Sequence, residues 1–188
     1  MSCLYSVAFW TCSPMAAART IINSFIHFRK SIMEATSTAL HNNIAAEIQL
    51  IYKSKVRASE RPTVNSSRRA YDVLKSSWDE GRIELVEQFK ILLLNTAKKV
   101  LGIFEVSTGG SDYVPVDIRV VFAAALKTNA SGIVLAHNHP SGSLKPSTAD
   151  IDLTKKLADG GNLLGIRVLD HLILTSEGYY SFMDEGLI

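Results

Sequence analysis

Cysteine is nearly missing from this 188-residue chain: Cys3 and Cys12 are the only two, both at its N-terminal end. A disulfide framework and a cysteine-ligated metal site are thereby excluded from the body of the chain, so any metal there must be held by His, Asp or Glu. A surplus of one charge is missing too. The formal net charge is +2, but Arg19, Arg29 and Lys30 precede Met33 with no acidic residue among them, and from Glu34 onward 17 basic residues face 18 acidic ones. Binding to phosphate backbones normally shows as a basic excess, so charge lends a nucleic-acid partner no support across the body. Long apolar runs are absent as well, and none reaches the roughly 20 residues that a membrane span needs. With 47% hydrophobic and 20% charged residues, the expectation is a soluble, cytoplasmic globular protein with no membrane partner.

The length allows one domain with a proper core plus extensions, and is short for two. Residues 1–33 read as an N-terminal extension, with Met33 as the expected start. The apolar stretch from Leu4 to Ala18 has no Lys or Arg before it, which argues against a secretion signal; the acid-free, Arg-bearing leader has the composition of a transit peptide. Residues 34–65 are expected to hold a strand or short helix over Ile44 to Val56 and a linker over 57–65. The main domain then runs over 66–188. It opens with a helix capped by Ser66 or Ser67, carrying Ala70, Tyr71, Val73, Leu74 and Trp78 at helical spacing and ending at Gly81. Apolar runs over 86–95 and 99–107 predict an antiparallel pair. Asp117 caps a helix with Ile118, Val121, Phe122, Ala125 and Leu126 on one face. A strand from Gly132 to His137 follows, then a helix from Ser147 that stops at the Gly160, Gly161 pair, and strands over 165–175 and 178–182. This order predicts an α/β fold with a mixed central sheet flanked by helices.

Chemistry concentrates in Ala136 to Asp150, AHNHPSGSLKPSTAD. His137 and His139 are two apart at a strand end, so both side chains leave the same face with Cα atoms about 7 Å apart. Pro140, Ser141 and Gly142 break the strand, and Asp150 in the first turn of the next helix can swing back toward the same point. Two neutral imidazoles and a carboxylate leave one tetrahedral position of a zinc ion open to water. Taken singly these residues have plainer readings, since H-x-H is often an incidental turn pair and S-x-x-D is a helix cap. Their joint occurrence is what points to a metal.

The segment H-N-H-P-S-G followed by P-S-x-x-D resembles the JAMM (MPN) metalloprotease signature, H-x-H-x7-S-x2-D, in its RadC-like form. His137, His139, Ser147 and Asp150 occupy every defined position. The resemblance extends from about Ser66 to Ile188 and includes EQFKILLLN, LLGIRVLDHLIL and YYSF. It implies a cytidine-deaminase-like architecture, Zn2+ held by His137, His139 and Asp150, and a glutamate from an earlier strand acting as general base. Glu87 occupies the matching place; spacing alone does not choose it over Glu84 or Glu105. Ser147 would donate a hydrogen bond to the oxyanion, and the implied reaction is hydrolysis of a peptide or protein substrate. The other reading from the same resemblance is a binding protein of DNA repair or mobile elements; Lys53, Lys55, Arg57, Arg61, Arg68 and Arg69 form a local basic stretch that reads first as a solvated linker and second as a nucleic-acid contact. Nucleobase deamination needs zinc thiolates in P-C-x-x-C, and the chain has no cysteine after Cys12. Asp170 and His171 lie in the resembling block without being ligands; they read first as a hydrogen-bonded structural pair and second as support behind a metal ligand.

Overall fold

Central strands buried on both faces must be apolar nearly throughout, and QFKILLL and GIVLAHN are. In the structure, a computed structural model describing residues 51–111 and 113–188, these become β1 (Gln88–Leu94) and β3 (Gly132–Asn138), each buried along its whole length. Around them lie β2 (Val100–Thr108), β4 (Arg167–Leu174) and β5 (Tyr179–Ser181), in the spatial order β2-β1-β3-β4-β5. β3 and β4 are parallel and every other pairing is antiparallel. This is the mixed α/β sheet that the sequence predicts.

The β1–β2 hairpin forms because Asn95 accepts hydrogen bonds from Ala97 N and Lys99 N, at 3.0 and 2.9 Å, while Lys98 takes the left-handed conformation at φ 55°. Alternation then sorts the strands' side chains to two cores. Phe89, Ile91, Leu93, Ile133 and Leu135 face α2 (Ile118–Lys127) and α3 (Thr148–Leu164). Leu92, Leu94, Val134, Ala136 and Leu172 face the other side, where α1 (Ser67–Lys75) supplies Ala70 and Leu74, and Trp78 follows from beyond it. Two apolar layers therefore sandwich the sheet.

Four details differ from expectation. α1 stops at Lys75, well before Gly81, because the Ser76 and Ser77 hydroxyls donate back to Val73 O and Leu74 O and end the ladder. α3 runs through Gly160 and Gly161 to Leu164 and ends at Gly165, whose φ of 68° makes it the cap. The pair serves packing: a Cβ on Gly161 would lie 2.2 Å from Ile166 O, and one on Gly160 3.0 Å from the Phe122 ring. Leu126, at the rim of its helical arc, is exposed while Val121, Phe122 and Ala125 are buried. Residues 51–56 form neither strand nor helix, and the rest of that expectation, with the N-terminal extension, lies outside the described residues. Among the described residues no helix is long and apolar enough to cross a membrane.

Candidate metal centre

The β1–β3 register places Phe89 opposite His137, and directly opposed residues share a face. Their rings stack with centroids 6.1 Å apart. His139 lies just past the end of β3, where its N–H still bonds Leu174 O at 3.0 Å, so the backbone keeps its strand direction and both imidazoles emerge together. Their Nε2 atoms are 3.0 Å apart. Asp150 arrives from the first turn of α3, with Oδ1 3.3 Å from His137 Nε2 and Oδ2 3.8 Å from His139 Nε2.

The helix cap holds that carboxylate in place. Ser147 Oγ accepts from Asp150 N at 3.1 Å, while Asp150 Oδ2 accepts from Ser147 N and from the Ser147 hydroxyl at 2.7 and 2.6 Å. Capping and convergence on the histidines are thus compatible.

His139 Nδ1 can only donate to the Ser143 carbonyl, 2.7 Å away, so in the neutral ring Nε2 carries a lone pair and faces the cluster. One donor atom each from His137, His139 and Asp150 lies within 4.8 Å of the others. A tetrahedral ion with bonds of about 2.0–2.1 Å spaces its donors about 3.3 Å apart, so these three residues could hold a divalent cation. Burial pushes the His137 pKa down to about 4, with Asp150 pulling it up and His139 adding to the fall. The same burial, then the two neighbouring imidazoles, holds His171 well below its ordinary value. Neutral imidazoles are the form that binds metal.

The cluster lies on the wall of a cleft of about 660 Å³ also lined by Glu87, Ser147, Tyr113 and Lys156. Extending the β1–β3 register by two residues sets Glu87 opposite His139. Its backbone is clamped by Glu87 N→Gly110 O and Gly109 N→Glu87 O, both 2.8 Å. Gly109 is required there, because a Cβ would fall 2.1 Å from Tyr113 O.

One feature escaped the sequence reading, and another departs from its first expectation toward its second. Asn138, between the histidines, turns to the opposite face and is fully buried. It accepts from Trp78 Nε1 and Gln88 N and donates to Ile83 O and Val86 O, tying down both neighbours of Glu87. Asp170 and His171 do not pair through their side chains: Asp170 bonds the His171 backbone N–H, Ser181 Oγ and Met183 N, whereas the His171 ring meets His137 Nδ1 at 2.9 Å and Thr154 Oγ at 2.6 Å. A histidine in the apolar strand LDHLIL was the available signal; the register needed to aim it was not.

Residues 64–187 match the family model described as the RadC-like JAB domain. The chain is 48% identical over 101 residues to the UPF0758 protein of Flavobacterium johnsoniae, covering 54% of this chain and 44% of that one. It is 40% identical over 128 residues to the UPF0758 protein of Desulfitobacterium hafniense, covering 68% and 55%. A UPF0758 protein of Alkaliphilus oremlandii matches at 34% over 181 residues, covering 91% and 77%. The chain spans about half the length of the first two relatives, and none of these names states a reaction.

Proposed function

The chain belongs to the RadC-like JAB domain family, and from that premise we propose that it is a zinc-dependent hydrolase of peptide or isopeptide bonds. The observation that carries this reading is the convergence of His137, His139 and Asp150 within 4.8 Å on the wall of a cleft that Glu87 also lines. When bound by these three residues, zinc supplies a Lewis acid that brings the pKa of water from near 16 to about 7.

Glu87 takes a proton from the attacking water as the water oxygen bonds to the scissile carbonyl carbon, and then gives that proton to the leaving amine as the C–N bond breaks. Its depth in the cleft and its doubly clamped backbone favour a fixed aim. The Ser147 hydroxyl, exposed at the cleft and resting on Asp150, turns to donate to the carbonyl oxygen as negative charge develops there.

The test is metal content of wild type and His139→Ala, followed by cleavage of an unbiased peptide library. One zinc per wild-type chain, lost in the variant, and cleavage by the loaded protein are expected; a wild type that takes up no zinc overturns the reading. The DNA-binding alternative draws on exposed Lys53, Lys55, Arg57 and Arg69, although Arg68 is already paired with Asp72 at 3.0 Å. It predicts salt-sensitive retardation of DNA that is independent of zinc.

A further inference from the structure

Behind His137 runs a closed chain of contacts whose proton order can be worked out from donor chemistry. Thr154 Oγ is 2.6 Å from Asp150 O, one helical turn back, and a carbonyl can only accept. The single hydroxyl hydrogen of Thr154 is committed there, so toward His171 Nδ1, also at 2.6 Å, Thr154 is the acceptor. His171 is wholly buried, where a neutral ring costs least. With its proton on Nδ1, its Nε2 must accept, and the donor 2.9 Å away is His137 Nδ1–H. His137 Nε2 is then left with a lone pair directed at Asp150 Oδ1, 3.3 Å away, which closes the loop. Aromatic packing holds the rings in place: Phe182 stacks on His171 at 4.7 Å, and Phe89 meets His137 face to face and His171 edge on.

We infer that Thr154 and His171 are positioning residues that fix the tautomer and the aim of His137, so that Asp150 and His137 are oriented by one hydrogen-bonded ring linking α3, β4 and β3. Thr154 and Asp150 sit four apart on α3, so the turn that presents the carboxylate also sets the far end of the relay. His139 is served separately by Ser143 O, and the two imidazoles are therefore held by independent acceptors. Among ligand histidines a carboxylate or carbonyl acceptor is the usual arrangement; here a neutral second imidazole passes the demand on to a threonine hydroxyl.

The inference rests on the metal-centre reading for its purpose, but the proton positions can be tested without metal. Long-range nitrogen–proton correlation spectra of 15N-histidine-labelled full-length protein should place the His171 proton on Nδ1, both zinc-free and zinc-loaded. A His171 protonated on Nε2, or doubly protonated at neutral pH, overturns the relay. Zinc affinity, measured by competition with a chromophoric chelator, should fall about 10-fold in Thr154→Val and about 100-fold in His171→Phe, and Thr154→Ser should restore it. Thr154→Val binding zinc as tightly as wild type also overturns the relay. If the wild type binds no zinc at all, the hydrolase reading fails while the spectra still decide the relay.

Discussion

Asn138 and His137 are neighbours on β3, both almost completely buried, and they face opposite sides of the sheet. Every polar atom of the Asn138 carboxamide has protein partners, two donors meeting two carbonyls and one oxygen receiving two N–H groups. His137 has a partner for Nδ1, while its Nε2 faces His139 Nε2 and an Asp150 oxygen, both atoms that can accept. Full satisfaction marks a structural polar residue; three donor-capable atoms converging on one point form a group that could hold a cation. Burial alone does not separate the two.

The comparison can be broken first on the cleft side. Glu87→Gln should lower peptide cleavage by 100- to 10,000-fold with zinc content unchanged, read from turnover beside metal analysis; full turnover removes Glu87 from the chemistry. On the other face, Asn138→Ala leaves several buried groups without partners and should cost about 3–5 kcal/mol in urea unfolding of the metal-free protein. Metal-free His139→Ala should stay within about 1 kcal/mol of wild type, and equal costs for the two variants would erase the distinction drawn here.

A smaller effect comes from pH. The His137 pKa is about 4 in the folded chain and near 6.5 when unfolded. Between these values the unfolded chain binds more protons, so stability rises with pH. The contribution is complete above about pH 6.5 and is lost as pH falls toward 4, amounting to about 2–3 kcal/mol. Unfolding of the metal-free protein across that window should show at least this slope, and His137→Phe should reduce it, leaving the share of His171, whose pKa burial also lowers. Smallest of all, Ser147→Ala should cost about 1 kcal/mol by thermal unfolding through loss of the cap.

Local rules made much of the architecture legible. Strand runs, the Asp117 cap and the S-x-x-D opening of α3 all depend on residues close in sequence, and they appear where spacing put them. The misses have longer-range causes. Gly160 and Gly161 read as a helix stop until Phe122 and the Ile166 backbone are seen against them. His171 is paired with Leu135 in the parallel β3–β4 ladder, and only that register sets its ring diagonally under His137. Thr154 stands four residues after Asp150, a spacing that shows nothing of its contact with His171 on β4. At the site, the H-x-H and S-x-x-D spacings brought their residues together, whereas Glu87 needed the family resemblance to be chosen over Glu84 and Glu105.

The tight seat of Gly109 has a consequence for how this cleft can change. Its N–H holds the Glu87 carbonyl while its missing side chain lets the Tyr113 backbone press against it. One rim of the opening and the carboxylate-bearing strand end are therefore a single mechanical piece, and neither can be adjusted without disturbing the other. Any widening of the cleft falls to its other lining segments, Pro140 to Ser143 and the first turns of α3.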